Sequence, residues 1–180
     1  MLLERLFRTR PAVSAGRALY EKVVAQSREP GLYTDLAIPD TVEGRFEAYS
    51  LHVVLLLDRL RAADAQGRDD AREVSQALFD TYVKSLDHAL REMGVGDLSV
   101  GKKMRKLGEA FYGRCKSYEA AFAALPDESA LTALAGRTLY AGVEAPPTAA
   151  LAAYVLAERA DLALQPLEAL VAGEVSWKPL

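Results

Sequence analysis

Apolar residues recur along most of this chain at steps of three and four, the spacing that gathers side chains on one face of a helix. Ala15, Leu19, Val23 and Gln26 mark one side of a helix predicted from Pro11 to about Gln26, with Pro11 suited to a first helical position. Pro30 and Gly31 end it. Leu32, Tyr33 and Leu36 suggest one short further turn before Ile38-Pro39 stops the pattern. The next segment, 40–63, differs in kind. Phe46, Tyr49, Val53, Leu56, Leu57 and Leu60 lie along it, while Leu51, Val54 and Leu55 fill its other sides. A helix that is apolar nearly all round is a buried one, so this segment is the expected centre of the fold. Asp40-Thr-Val-Glu43 has the form of a reciprocal cap at its start.

Asp70-Ala-Arg-Glu73 repeats that form and opens a helix that runs to Gly94, with Leu78, Phe79, Tyr82, Leu86, Leu90 and Met93 on one face. Another runs from about Gly101 to Leu125 on Met104, Leu107, Phe111, Cys115, Tyr118, Phe122 and Leu125. Pro126-Asp127 starts a helix over about 128–141; Leu151, Tyr154, Val155 and Leu162 mark the next; a last one covers 164–171 with Pro166 in its first turn. The tail, 173–180, shows no helical pattern, and its Trp177 reads as a packed anchor. No stretch alternates over a strand's length. The expected fold class is therefore all-α, a single-domain helical bundle of about seven helices around 40–63. Its expected parts are a short amphipathic segment at 1–10, a helical domain at 11–172 and the tail at 173–180.

Composition narrows the function classes. The chain has 180 residues, 51% hydrophobic and 26% charged, enough to bury one core. Its formal net charge of -3 means that attraction to phosphate or lipid must come from local basic clusters. The single cysteine, Cys115, lies on an apolar face and reads as an inert buried thiol. The longest uncharged run, 48–57, is about half a bilayer span. Near the start, Leu2, Leu3, Leu6 and Phe7 alternate with Arg5, Arg8 and Arg10, a pattern for a foot on a membrane surface or for an end packed on the domain. No phosphate loop, metal-ligand spacing or nucleophile elbow is present, so no catalytic residue, metal or other cofactor is expected. The negative charge and the lack of an aromatic platform also argue against nucleic acid as a partner.

One local feature stands out. Gly94, Gly96 and Gly101 separate two strong helical patterns, and Lys102, Lys103, Arg105 and Lys106 follow directly. If the second helix starts at Gly101, four cations crowd the end whose dipole favours anions. Such a run is either a solvated face paired with Glu92, Asp97 and Glu109, or a contact surface.

The stretch from Met93 to Lys106, followed by Ala110-Phe-Tyr-Gly-Arg114, resembles the ubiquinol–cytochrome c chaperone family. Arg28-Glu-Pro-Gly-Leu-Tyr33, the segment Ile38 to Phe46 and Leu51-His-Val53 look similar to it as well. The resemblance implies an assembly factor that binds newly made cytochrome b during biogenesis of respiratory complex III; with no catalytic motif in the chain, the expectation is a binding protein and not an enzyme. Glu4 and Arg5 interrupt any secretory apolar region at the N-terminus, which suits a bacterial cytoplasmic protein; it is expected at the cytoplasmic face of the inner membrane, its basic clusters in contact with anionic lipid. Lys102, Lys103, Arg105, Lys106, Tyr112 and Arg114, with Asp40, Arg45 and His52, are the expected partner- or membrane-binding residues. Arg45 and Arg114 have a second reading, as residues paired with Asp40 or Asp97 that hold loops in shape. His52 has one as a packing residue or haem ligand. The alternative function is a membrane-surface protein interacting with lipid or isoprenoid, although no Asp-x-x-x-Asp cluster supports prenyl chemistry.

Overall fold

A computed structural model describes residues 11–180; the amphipathic segment expected at 1–10 lies outside the described residues. Eight helices and no strand occur among the described residues: α1 Pro11–Gln26, α2 Pro30–Thr34, α3 Val42–Asp64, α4 Asp69–Glu92, α5 Asp97–Ala123, α6 Ser129–Arg137, α7 Thr148–Leu164 and α8 Leu167–Val171. The all-α expectation holds. The eighth helix over the expected seven is α2, a single five-residue turn where the sequence suggests one short turn.

The apolar circumference of α3 places it at the centre. Leu51, Val53, Leu55, Leu56 and Leu60 are all at most 1% exposed, and α1, α4, α5 and α7 pack around them. Full burial of each such side chain stabilises by about 1.5–3 kcal/mol before entropy is counted. The helix starts two residues later than the sequence suggests. Thr41 is the cap, its hydroxyl accepting from the Gly44 N–H at 3.0 Å. Asp40 does not cap; its carboxylate accepts from Arg45. Gly44 is required here, since a Cβ would lie 2.0 Å from the Pro39 carbonyl oxygen. The second expected cap also fails. Arg68 occupies the cap position of α4 without a side-chain bond, and Asp70 accepts from Arg68 and from the Ala71 N–H.

Packing of α1 on α4 is close because Gly16 has no Cβ, which would meet the Leu78 backbone nitrogen at 2.6 Å. The tail is part of the fold. Gln165 donates to the Ser176 carbonyl and accepts its N–H. The Lys178 backbone is gripped from both sides, its carbonyl accepting from Gln26 and its N–H donating to Glu158.

The largest correction concerns α5. It begins at Asp97, not Gly101, so Asp97 occupies the first turn and Gly101 is helical. The cations at 102–106 lie beyond that turn, and the proposed conflict with the helix dipole does not arise.

Candidate functional site

The principal cavity among the described residues is a groove of about 510 Å³. Its walls come from α1, α3 and α4, with Tyr20 and Val24 on α1, Phe46 and Tyr49 on α3, and Leu86 and Leu90 on α4. Tyr33, Val42, Met93 and Leu107 complete the apolar lining; Arg28, Glu43, Arg45 and Glu47 supply charge. An aromatic ladder stiffens this side of the bundle. Tyr20 meets Tyr49 edge-on at 5.6 Å, Tyr49 meets Tyr82 at 5.2 Å, and Tyr82 meets Phe111 at 4.6 Å. Burial pushes the Tyr20 and Tyr33 hydroxyls above their ordinary range, so both are neutral donors at physiological pH. The Tyr49 hydroxyl is buried without a hydrogen-bond partner.

The groove draws together stretches that are far apart in sequence. Arg28, Tyr33, Val42, Arg45 and Phe46 come from the 28–46 region, and Met93 from the glycine-rich connection. These are the stretches that carry the resemblance described above. Sequence reasoning named only Arg45 of the groove residues as a contact. It missed Phe46, Tyr49 and Leu86, whose helical spacing marks them as core, and Tyr20, which falls outside the stripe of Ala15, Leu19 and Val23.

The expected site residues separate into three groups. Lys102, Lys103, Arg105 and Lys106 are exposed on α5, and none makes an ion pair among the described residues. Of their suggested partners, Asp97 pairs with Arg91 and Glu92 with His88, while Glu109 makes no ion pair among the described residues. Tyr112 is also exposed, on the same helix, with the Lys116 ammonium 5.9 Å from its ring.

Arg114, Asp40 and Arg45 form the second group. Arg114 is not paired with Asp97 or Asp40. It donates in fork geometry to Glu47 on α3, Nε to Oε2 at 2.8 Å and Nη2 to Oε1 at 2.6 Å. The Glu47 side chain is only 11% exposed, so the pair ties α5 to α3 beside the groove. Arg45 and Asp40 do pair, on the open surface at the groove rim. That contact holds the Asp40 carboxyl below its usual range.

His52 is in neither group, and its place among surface contacts is corrected. It is 0% exposed. Its Nδ1–H donates to the Ala48 carbonyl at 2.7 Å, which leaves Nε2 to accept from the Tyr154 hydroxyl at 2.8 Å. Gln26 donates in turn to Tyr154 at 3.1 Å, and the Trp177 ring meets His52 edge-on at 5.2 Å. Burial lowers the His52 pKa to about 4, so the ring is neutral. Both nitrogens are occupied, and a haem or metal would have to displace Tyr154. Among the described residues no cluster of His, Cys, Asp and Glu has metal-binding geometry. Cys115 is half-buried, and burial raises its thiol pKa, which keeps it protonated. No described helix is long and apolar enough to cross a membrane.

Comparison with known proteins adds two matches. A family model described as ubiquinol-cytochrome C chaperone matches residues 34–177. The crystal structure of the Cbp3 homolog from Brucella abortus is similar at 37% identity with a TM-score of 0.84, covering 99% of this chain and 97% of that one. No curated protein matches.

Proposed function

The chain belongs to the ubiquinol–cytochrome C chaperone family, and on that premise we propose that it holds newly made cytochrome b before respiratory complex III is assembled. It acts as a non-enzymatic assembly factor, from the cytoplasmic face of the inner membrane. One observation carries this reading: the stretches that resemble the family converge on an open groove whose lining is mainly apolar. An apolar groove with charged residues at its rim suits an amphipathic helix of a client. The aromatic ladder behind it keeps the groove in shape without a bound client.

Affinity purification from gently solubilised native membranes tests the reading. Cytochrome b should be enriched without the mature complex's other subunits. Recovery of the assembled complex in full stoichiometry, or of intact bait without cytochrome b, contradicts it.

A further inference from the structure

The hairpin between α4 and α5 uses its apolar residues unlike the rest of the fold. Leu98 is 102% exposed and Met93 57% exposed, whereas α5 buries Phe111, Tyr118 and Phe122 farther along. In the first ten residues of α5, only Val100 is buried. Leu98, Lys102 and Arg105 stand at helical spacing on one outward stripe, Lys106 lies beside it, and Lys103 is exposed more than a third of a turn further round. Residues 91–106 contain five cations and two carboxylates in a chain whose formal net charge is -3. The molecule is therefore electrically lopsided, with this tip positive and the remainder acidic.

We propose that the α4–α5 tip docks the protein on an anionic lipid surface. Met93 and Leu98 enter the interface, and Lys102, Lys103, Arg105 and Lys106 lie against head-group phosphates. The proposal deepens the membrane-side part of the function proposed above and rests on it. Charge complementarity selects the occupant. Cations without an ion pair among the described residues gain from a negative surface, and the two exposed apolar side chains that precede them gain from the acyl boundary. A soluble polyanion would use the cations and leave Leu98 and Met93 in water. The location also fits the groove, because Met93 and Leu107 line it on the side nearest the tip. A protein docked this way holds its groove next to the bilayer, where a membrane-protein client is found.

Flotation of the purified full-length protein with vesicles tests this without any client, so its failure is separable from failure of cytochrome b capture. Vesicles of phosphatidylglycerol in phosphatidylcholine should carry the protein at low salt and release it as salt rises. Replacing Lys102, Lys103, Arg105 and Lys106 with Gln should weaken partitioning by about a hundredfold or more, since each surface cation contributes a factor of about five. Met93→Asp with Leu98→Asp should weaken it by roughly tenfold, and the exposure of both positions keeps the variant folded, which circular dichroism verifies. Equal binding to pure phosphatidylcholine, or unchanged binding by the double Asp variant, overturns the proposal. Retention on RNA with no vesicle binding overturns it as well and assigns the tip to nucleic acid.

Discussion

Two regions of this bundle differ in how far they are closed to solvent. Around His52, polar groups are buried and mostly paired within the chain: Ala48, Tyr154, Gln26 and the tail backbone form a continuous run of hydrogen bonds, with the Trp177 indole N–H and one Glu158 oxygen left without a partner. Around the groove and the α4–α5 tip, much is left over. Four cations have no ion pair among the described residues, the Tyr49 hydroxyl has no partner, and Val42, Met93 and Leu98 are exposed. The first region is buried within one chain and serves stability. The second has capacity for something outside it. Sequence motifs point to both regions alike, and only burial separates them.

The sharpest way to break the comparison is to damage the His52 region. His52→Ala leaves Tyr154 without its acceptor and opens a cavity, and should cost on the order of 2–4 kcal/mol in urea unfolding. A loss no larger than that of a surface substitution would show that the network is not structural. Arg114→Ala comes next. It strands a largely buried Glu47 and should cost about 1–3 kcal/mol, with Arg114→Lys recovering part, since one ammonium cannot reproduce the fork. Full stability in Arg114→Ala would return that residue to the set of partner contacts.

A subtler effect is in the pH dependence. His52 is held down to about 4 from 6.5, so below pH 6.5 the unfolded chain takes up a proton that the fold refuses. Its contribution makes stability fall as pH drops from 6.5 toward 4. Glu158 acts in the opposite sense. Burial raises it from 4.5 to about 7, and one of its oxygens has no hydrogen-bond partner. The fold keeps a proton that the unfolded chain releases, so this contribution makes stability fall as pH rises from 4.5 toward 7. Between 4.5 and 6.5 the two slopes oppose each other. Relative to wild type, Glu158→Gln should tilt stability upward with pH across that window, and His52→Gln should tilt it downward. Urea midpoints that tilt the same way in both variants would disprove the assignment. The smallest effect belongs to Arg45→Ala, whose partner Asp40 is equally exposed. Its unfolding midpoint should not move from wild type, and a clear drop would place Arg45 among the structural residues.

Helix periodicity made the architecture legible, because α3 could be buried only at the centre of a bundle. The errors have local causes. Asp40 and Thr41 are both good capping residues, and the choice between them depends on how closely Gly44 approaches Pro39, which no spacing rule sees. The start of α5 was misplaced because glycines were read as breaks. A helical Gly costs only about 1 kcal/mol, which the buried Val100 and the ion pair from Asp97 to Arg91 help offset. His52 could not be placed at all, since Tyr154 lies 102 residues away and Trp177 on the tail. The groove was legible only in part. Its motif residues are visible in the sequence, but Phe46, Tyr49 and Leu86 look identical to core until the helices are assembled, and Tyr20 lies off the periodic stripe of its helix.

Site-specific photocrosslinking in native membranes tests the central claim most directly. Val42 on the groove rim and Leu164 outside the groove are both exposed, so a photoreactive side chain at either leaves the fold intact. The account predicts a cytochrome b adduct from position 42 and none from position 164. An adduct from 164 alone, or none from 42 while cytochrome b still co-purifies, would contradict the groove as the client's seat.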